Sequence, residues 1–208
     1  MRNVVLIMLL TVATLSASAV EGLKLFRLEG GEKVPYELRP ETKYIALYQS
    51  ASWCPPCRMI TPQLVEEYQR MQKVEQQPVE MVLLGADYSE KDVLKYMESY
   101  EMQWPALEWG QIAAVEKYIA QGIPDLILVE LATGKVITKG TGALGIEEAV
   151  ARIREYSGVT GEKPFKAKGF LNQYGLIIAV IVSCGLILLL MKLRSGSKEK
   201  SSAEPANT

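Results

Sequence analysis

The 208-residue chain contains no histidine and only three cysteines, Cys54, Cys57 and Cys184. The absence of histidine removes imidazole as general base, nucleophile or metal ligand. With no second cysteine pair either, a zinc site of about four ligands has too few donors to draw on. Neither sign of charge is in excess: 23 Lys and Arg stand against 24 Asp and Glu, a formal net charge of −1. No basic stripe alternates with aromatic residues, so nucleic acid is not an expected partner. At 49% hydrophobic residues the chain can build a core, and its length suits one ordinary domain plus appendages.

Two uncharged apolar runs flank the body. Val4 to Leu15 follows the single positive charge of Arg2 and precedes Ser16-Ala17-Ser18-Ala19. A charged start, a short apolar run and small residues at −3 and −1 describe a secretory signal peptide over residues 1–19. An uncleaved anchor is the alternative. The second run, Tyr174 to Met191, is 18 residues without a charge. As a helix it covers roughly 27 Å, close to the hydrocarbon thickness of a bilayer. A buried core helix is the alternative, but such helices are rarely apolar on every face. Phe170 and Tyr174 suit one interface, and Lys192 and Arg194 the other. Cys184 falls inside this run, where small residues usually serve packing.

A signal peptide sends the body across the membrane, and a C-terminal span stops transfer. Lys163, Lys166 and Lys168 precede the span; Lys192, Arg194, Lys198 and Lys200 follow it. The positive-inside bias is small and in the same sense. The expectation is a single-pass cell-membrane protein with its domain on the extracytoplasmic, periplasmic side. Residues 158–173, with Gly158, Gly161, Pro164 and Gly169, read as a linker. Residues 192–208, rich in Ser, Lys and Ala, read as a disordered cytoplasmic tail.

Residues 20–157 alternate between strand and helix patterns. Leu23 to Leu28 alternates apolar and polar, and Lys43 to Gln49 is a β-rich run. Pro55 to Met71 carries Met59, Ile60, Leu64, Val65 and Tyr68 at helical spacing. Val79 to Gly85 is nearly all apolar, as in a strand buried on both faces. Ser89 is a plausible N-cap for a helix reaching Tyr100, and Ile112 to Ala120 reads as a short helix. Asp125–Val129 and Lys135–Thr138 flank the turn Ala132-Thr133-Gly134, a hairpin signal. Ile146, Ala149, Val150, Ile153 and Tyr156 give a last amphipathic helix. A β-α-β start and a β-β-α finish predict an α/β domain, a mixed central sheet with helices on both faces.

The chemistry concentrates in Trp53-Cys54-Pro55-Pro56-Cys57. Two cysteines separated by two residues can close a small disulfide where a strand runs into a helix. Cys54 then lies at the helix N-terminus, beside free N–H groups and the positive dipole end. That field favours a thiolate, the reactive form. Cys57 lies one turn deeper. The roles inferred are therefore unequal: Cys54 attacks a substrate disulfide and Cys57 resolves the mixed disulfide. Pro55 suits the first helical turn, and Pro56 restricts the active-site loop further. A purely structural disulfide is the alternative in an exported protein, although so tight a loop is a poor staple.

The run Leu47-Tyr48-Gln49-Ser50-Ala51-Ser52-Trp53-Cys54-Pro55-Pro56-Cys57-Arg58, then Thr61-Pro62, resembles the thioredoxin superfamily, specifically its tryparedoxin/nucleoredoxin-like branch. Trp104-Pro105-Ala106-Leu107 and Gly122-Ile123-Pro124 extend the resemblance over about residues 40–140. It implies a thioredoxin fold with a cis-proline at Pro124 beside Cys54, and an Ile123 backbone that pairs with extended substrate. A cis X–Pro bond is uncommon enough to be a deliberate feature; an ordinary trans turn proline is the alternative. Pro62 matches the family's helix-kinking proline. Trp53 would be a partly exposed docking surface, or else a core residue. No metal and no cofactor beyond the Cys54–Cys57 disulfide is implied.

One departure bears on mechanism. Many thioredoxins carry a buried Asp beneath the disulfide; the matching position here is Tyr48, whose unperturbed pKa of about 10 makes it a poor base. Tryparedoxins are cytosolic, whereas this chain carries export and anchoring signals, so their trypanothione-linked partner is not carried over. The leading expectation is an extracytoplasmic reductase of disulfides in exported proteins, fed by a membrane electron donor. A disulfide oxidase or isomerase uses the same residues, and a non-catalytic thioredoxin-fold binding module uses neither cysteine.

Overall fold

The computed structural model describes residues 22–161, 163–167 and Ser183. The expected signal peptide at 1–19 and tail at 192–208 lie outside the described residues, as does the expected span at 174–191 apart from Ser183. Among the described residues no helix is long and apolar enough to cross a membrane. The fold below is that of the compact unit ending at Ala167.

Seven strands form one sheet: β1 (Leu25–Glu29), β2 (Glu32–Tyr36), β3 (Tyr44–Ser50), β4 (Val79–Gly85), β5 (Ala106–Leu107), β6 (Asp125–Glu130) and β7 (Val136–Thr141). Their order is β2-β1-β5-β4-β3-β6-β7. The central pair β3–β4 is parallel, with α1 (Pro55–Met71) as its crossover, while β3–β6 and β6–β7 are antiparallel. The other helices of this unit are, among the described residues, α2 (Glu90–Ser99), α3 (Gly142–Ser157) and a 3-10 helix at Ile112–Tyr118.

Alternation along the central strands divides the core between two faces. Ala46, Tyr48, Met81 and Leu83 point to the side that buries Ile60, Leu64 and Tyr68 of α1, Met97 of α2, and Ile146 and Val150 of α3. Ile45, Leu47, Val82 and Leu84 point to the other side, against Val115 and Tyr118 of the 3-10 helix. Helices therefore cover both faces of the sheet, as expected, the short one at Ile112–Tyr118 being a 3-10 helix. The α-helices α1, α2 and α3 share one face, and the other carries the 3-10 helix, with Leu23, Tyr36 and Leu38 packed on the same apolar cluster. Glu116, Lys117 and two alanines leave that segment only two buried residues, Val115 and Tyr118, too narrow an apolar stripe for a core-facing α-helix.

The helix ends follow their sequences. Ser89 caps α2 by accepting from the Asp92 N–H, and Gly158 ends α3 in the left-handed conformation that glycine adopts at least cost. The described part of the expected linker packs on the domain. Val159 and Phe165 lie against the core, Ala167 is buried in it, and the Ala167 N–H donates to Glu147 at 2.9 Å.

Candidate active site

β3 delivers the chain to the motif, and β4 holds it there. The Ala86 N–H donates to the Ser50 carbonyl at 2.8 Å as the two parallel strands end together. Asp87, just beyond β4, then accepts from the Ser52 N–H at 2.9 Å and from Ser52 Oγ at 2.6 Å through one oxygen, Oδ1. The Cys54 N–H donates to the Ala51 carbonyl at 3.2 Å, closing a turn that points the chain into α1. Cys54 is the N-cap of that helix, in extended conformation, with Pro55 and Pro56 filling the first turn. Prolines cost nothing in hydrogen bonds there, because those N–H groups have no intrahelical acceptor.

Cys54 and Cys57 are disulfide-bonded, with Cα atoms 5.3 Å apart. The Cys57 N–H donates to Cys54 Sγ at 3.3 Å. A sulfur in this capping position receives an N–H and the positive end of the helix dipole together, and no acidic side chain in the first turn opposes them. Cys54 is 4% exposed and Cys57 fully buried. With Ala51 they form a small cluster of their own, on which Ala86 and Ile123 pack. The Ile123–Pro124 bond is cis, and Cys54 Sγ lies 3.9 Å from the Ile123 carbonyl oxygen. The chain thus brings Cys54, Cys57, Ile123 and the cis bond to Pro124 into one locus from segments about seventy residues apart.

Beneath the disulfide the structure holds hydroxyl groups. Thr61 Oγ1 donates to the Cys57 carbonyl at 2.9 Å and stands 2.9 Å from the Tyr48 hydroxyl and 2.6 Å from that of Tyr96. Tyr96 in turn meets Ser50 Oγ at 2.9 Å. Thr61 has one hydrogen, already given to the carbonyl, so both phenols donate to it and Ser50 donates to Tyr96. Burial pushes the Tyr48 and Tyr96 phenols above the ordinary tyrosine range. Both stay neutral donors, and neither serves as a base for Cys57. Asp125, next to Pro124, is a buried carboxyl whose pKa burial raises, while its bond from Thr141 works the other way.

Trp53 stands at the rim, 47% exposed and outside the core. Its indole N–H donates to the Ala86 carbonyl at 3.2 Å, and its ring stacks on Tyr88 with centroids 5.7 Å apart. Pro62 lies within α1, which continues through it to Met71. Sequence reasoning missed Asp87, Thr61, Tyr96 and Tyr88. Thr61 was within reach, since it lies four residues after Cys57 on the same helix face. Asp87 and Tyr88 come from the segment just after β4 and Tyr96 from α2, and only the β3–β4 register and the packing of α2 bring them here.

Fold and site together define a thioredoxin-fold protein with a dithiol/disulfide centre at a helix N-terminus. A family model described as Thioredoxin-like matches residues 41–136. Nucleoredoxin of Xenopus laevis is 41% identical over 103 residues, 48% of this chain and 24% of that protein. Tryparedoxin of Trypanosoma brucei brucei is 37% identical over 99 residues, 46% of this chain and 66% of that protein. The solved structure of tryparedoxin from Trypanosoma brucei shares 30% identity and superposes with a TM-score of 0.50, covering 71% of this chain and 99% of that one. The match spans about a quarter of the nucleoredoxin's length. The chain belongs to the thioredoxin superfamily, in its tryparedoxin/nucleoredoxin-like branch.

Proposed function

We propose that this protein is a membrane-anchored, extracytoplasmic thiol–disulfide oxidoreductase that reduces disulfides of exported proteins. The observation that carries the chemistry is the capping of α1 by Cys54, whose sulfur receives the Cys57 N–H while Ile123 packs beside it. In the reducing direction the Cys54 thiolate attacks one sulfur of a client disulfide. The client disulfide breaks, one client thiolate leaves and takes up a proton, and a Cys54–client disulfide forms. The Cys57 thiol loses its proton to solvent or a nearby carboxylate and attacks Cys54 Sγ. The second client thiolate leaves, and the Cys54–Cys57 disulfide closes. Two electrons have passed to the client, and a membrane electron donor restores the dithiol. No cofactor other than the disulfide takes part.

Trp53, Ile123 and Pro124 form the docking surface in this reading. Support comes from the exposed indole beside the disulfide and from the Ile123 carbonyl next to Cys54 Sγ. The apolar runs at residues 4–15 and 174–191 support the export and the anchor.

The test is a Cys57→Ser variant expressed in the native membrane. It accumulates mixed disulfides through Cys54 that a reductant releases, and Cys54→Ser accumulates none. Absence of any reductant-sensitive adduct contradicts the reading. Titration against glutathione fixes direction: a potential near that of thioredoxin, about −270 mV, supports reduction, and one near about −120 mV makes the protein an oxidant.

A further inference from the structure

A cleft of about 350 Å³ opens beside the disulfide loop, with Gln49, Leu84, Ala86, Asp87, Leu107 and Trp109 among its walls. Its position follows from topology. β3 and β4 run parallel with Gln49 opposite Leu84, and crevices beyond the carboxyl ends of parallel strands are where open α/β sheets take ligands. Two large apolar side chains at its mouth, Trp109 and Ile112, are each 45% exposed. Such groups clustered at one opening mark an interaction surface.

The polar side of the cleft is acidic. Asp87 is only 7% exposed, and Oδ1 takes both bonds from Ser52. Oδ2 is buried and has no hydrogen-bond partner among the described residues. A buried carboxylate oxygen without a donor is costly, and an incoming N–H would relieve that cost. Glu108 also lines the cleft. Its Oε2 accepts from Lys33 Nζ at 2.6 Å, but the same ammonium is 2.5 Å from Glu90 Oε1. One cation is thus shared between two carboxylates, which leaves this group with excess negative charge before Asp87 is counted.

We propose that the cleft is a subsite for a lysine or arginine side chain flanking the reactive cysteine of the client protein. The inference rests on the oxidoreductase reading, since Asp87 is tied to Ser52, two residues before Cys54. Lysine and arginine combine an apolar stem with a charged head. The stem lies along Leu84 and Leu107, the indole of Trp109 offers a cation–π face, and the head supplies charge-assisted donors to Asp87 and Glu108. A neutral apolar occupant leaves Asp87 Oδ2 unpaired, and an acidic one meets like charge.

The test uses the full-length protein and a series of disulfide-linked peptides identical except for lysine, norleucine or glutamate next to the cysteine. Neutral 2-hydroxyethyl disulfide serves as a reference for the chemistry alone. The lysine peptide is expected to exceed the glutamate peptide in kcat/KM by about tenfold, the usual order for one charge-assisted hydrogen bond. The ratio falls below about threefold in Asp87→Asn and in Glu108→Gln, and also at high salt. Glu108→Gln keeps the result readable if Asp87→Asn unsettles the Ser52 turn. In parallel, a cysteine-free lysine peptide shifts the Trp109 indole resonance in NMR spectra, whereas the glutamate peptide does not. Equal kcat/KM for all three peptides, or a lysine preference unchanged in both variants, overturns the subsite. Failure to reduce even 2-hydroxyethyl disulfide overturns the oxidoreductase reading instead, and the indole shift still decides whether the cleft takes lysine.

Discussion

The Tyr96 hydroxyl and Thr61 Oγ1 lie 2.6 Å apart, joining α2 to the second turn of α1 directly below the disulfide. Thr61 is the hub of this contact: it accepts from two phenols and donates to the Cys57 carbonyl. A hub that satisfies three buried partners costs more to remove than a member that satisfies two. Tyr96→Phe is expected to destabilise the oxidised protein by about 1–2 kcal/mol, and Thr61→Val, of nearly equal volume, by about 2–3 kcal/mol. Denaturant titration of both variants checks the order. A Thr61→Val loss no larger than that of Tyr96→Phe contradicts the role of Thr61 as hub.

The same phenols give the fold an alkaline limit. Burial raises the folded-state pKa of Tyr48, Tyr68 and Tyr96 above the unfolded value, with the Glu80 carboxylate adding to the rise at Tyr68. The unfolded chain therefore loses these protons first, at about pH 10, while the folded chain keeps them. Their stabilising contribution is complete below that pH and is lost as pH climbs toward the folded values. Stability is expected to stay level from pH 7 to 9, to bend near pH 10 and above it to fall by about 1.4 kcal/mol per pH unit for each phenol. Urea midpoints measured from pH 7 to 11 test this, and a curve still level at pH 11 contradicts it.

These tyrosines also show where sequence reasoning stops. The bounds of α1 and β4 were legible to the residue, because Pro55-Pro56 marks a helix start and Val79 to Gly85 is apolar throughout. The dithiol was legible for the same reason: its parts are adjacent in the chain. β2 was not, since Pro35 and its polar neighbours break the strand pattern, and only an edge position tolerates that proline. β5 is two residues long, too short to carry a period. Asp87 and Tyr96 reach the site by register and helix packing, and nothing local to either residue announces it.

A close approach of backbones provides a sharper test of the packing of α3 on β7. A Cβ built on Gly140 would stand 1.8 Å from the Gly145 carbonyl oxygen, and main chain cannot yield as a side chain can. Gly140→Ala is expected to cost about 3 kcal/mol or more. Gly122→Ala is its control: the nearest atom is Thr141 Cγ2 at 3.8 Å, an ordinary contact, so a change within about 0.5 kcal/mol is expected. Thermal unfolding of the two variants side by side decides it, and comparable midpoints would refute the close approach.

The stacked pair at the rim links structure to client choice. Tyr88 is 82% exposed and buries little, so its packing adds little to the fold. Its ring nevertheless lies within 20° of parallel to the Trp53 indole, which is otherwise held by one hydrogen bond to Ala86. Tyr88→Ala should change stability by less than about 0.5 kcal/mol. Freed on one face, the indole samples more orientations, so a large client pays more entropy to dock against it. The ratio of kcat/KM for a protein disulfide to that for 2-hydroxyethyl disulfide is then expected to drop a few-fold. Trp53→Ala should lower the same ratio further, and adding Tyr88→Ala to it should change nothing more, because the pair acts through one ring. Additive losses in the double variant would mean that Tyr88 touches the client on its own account.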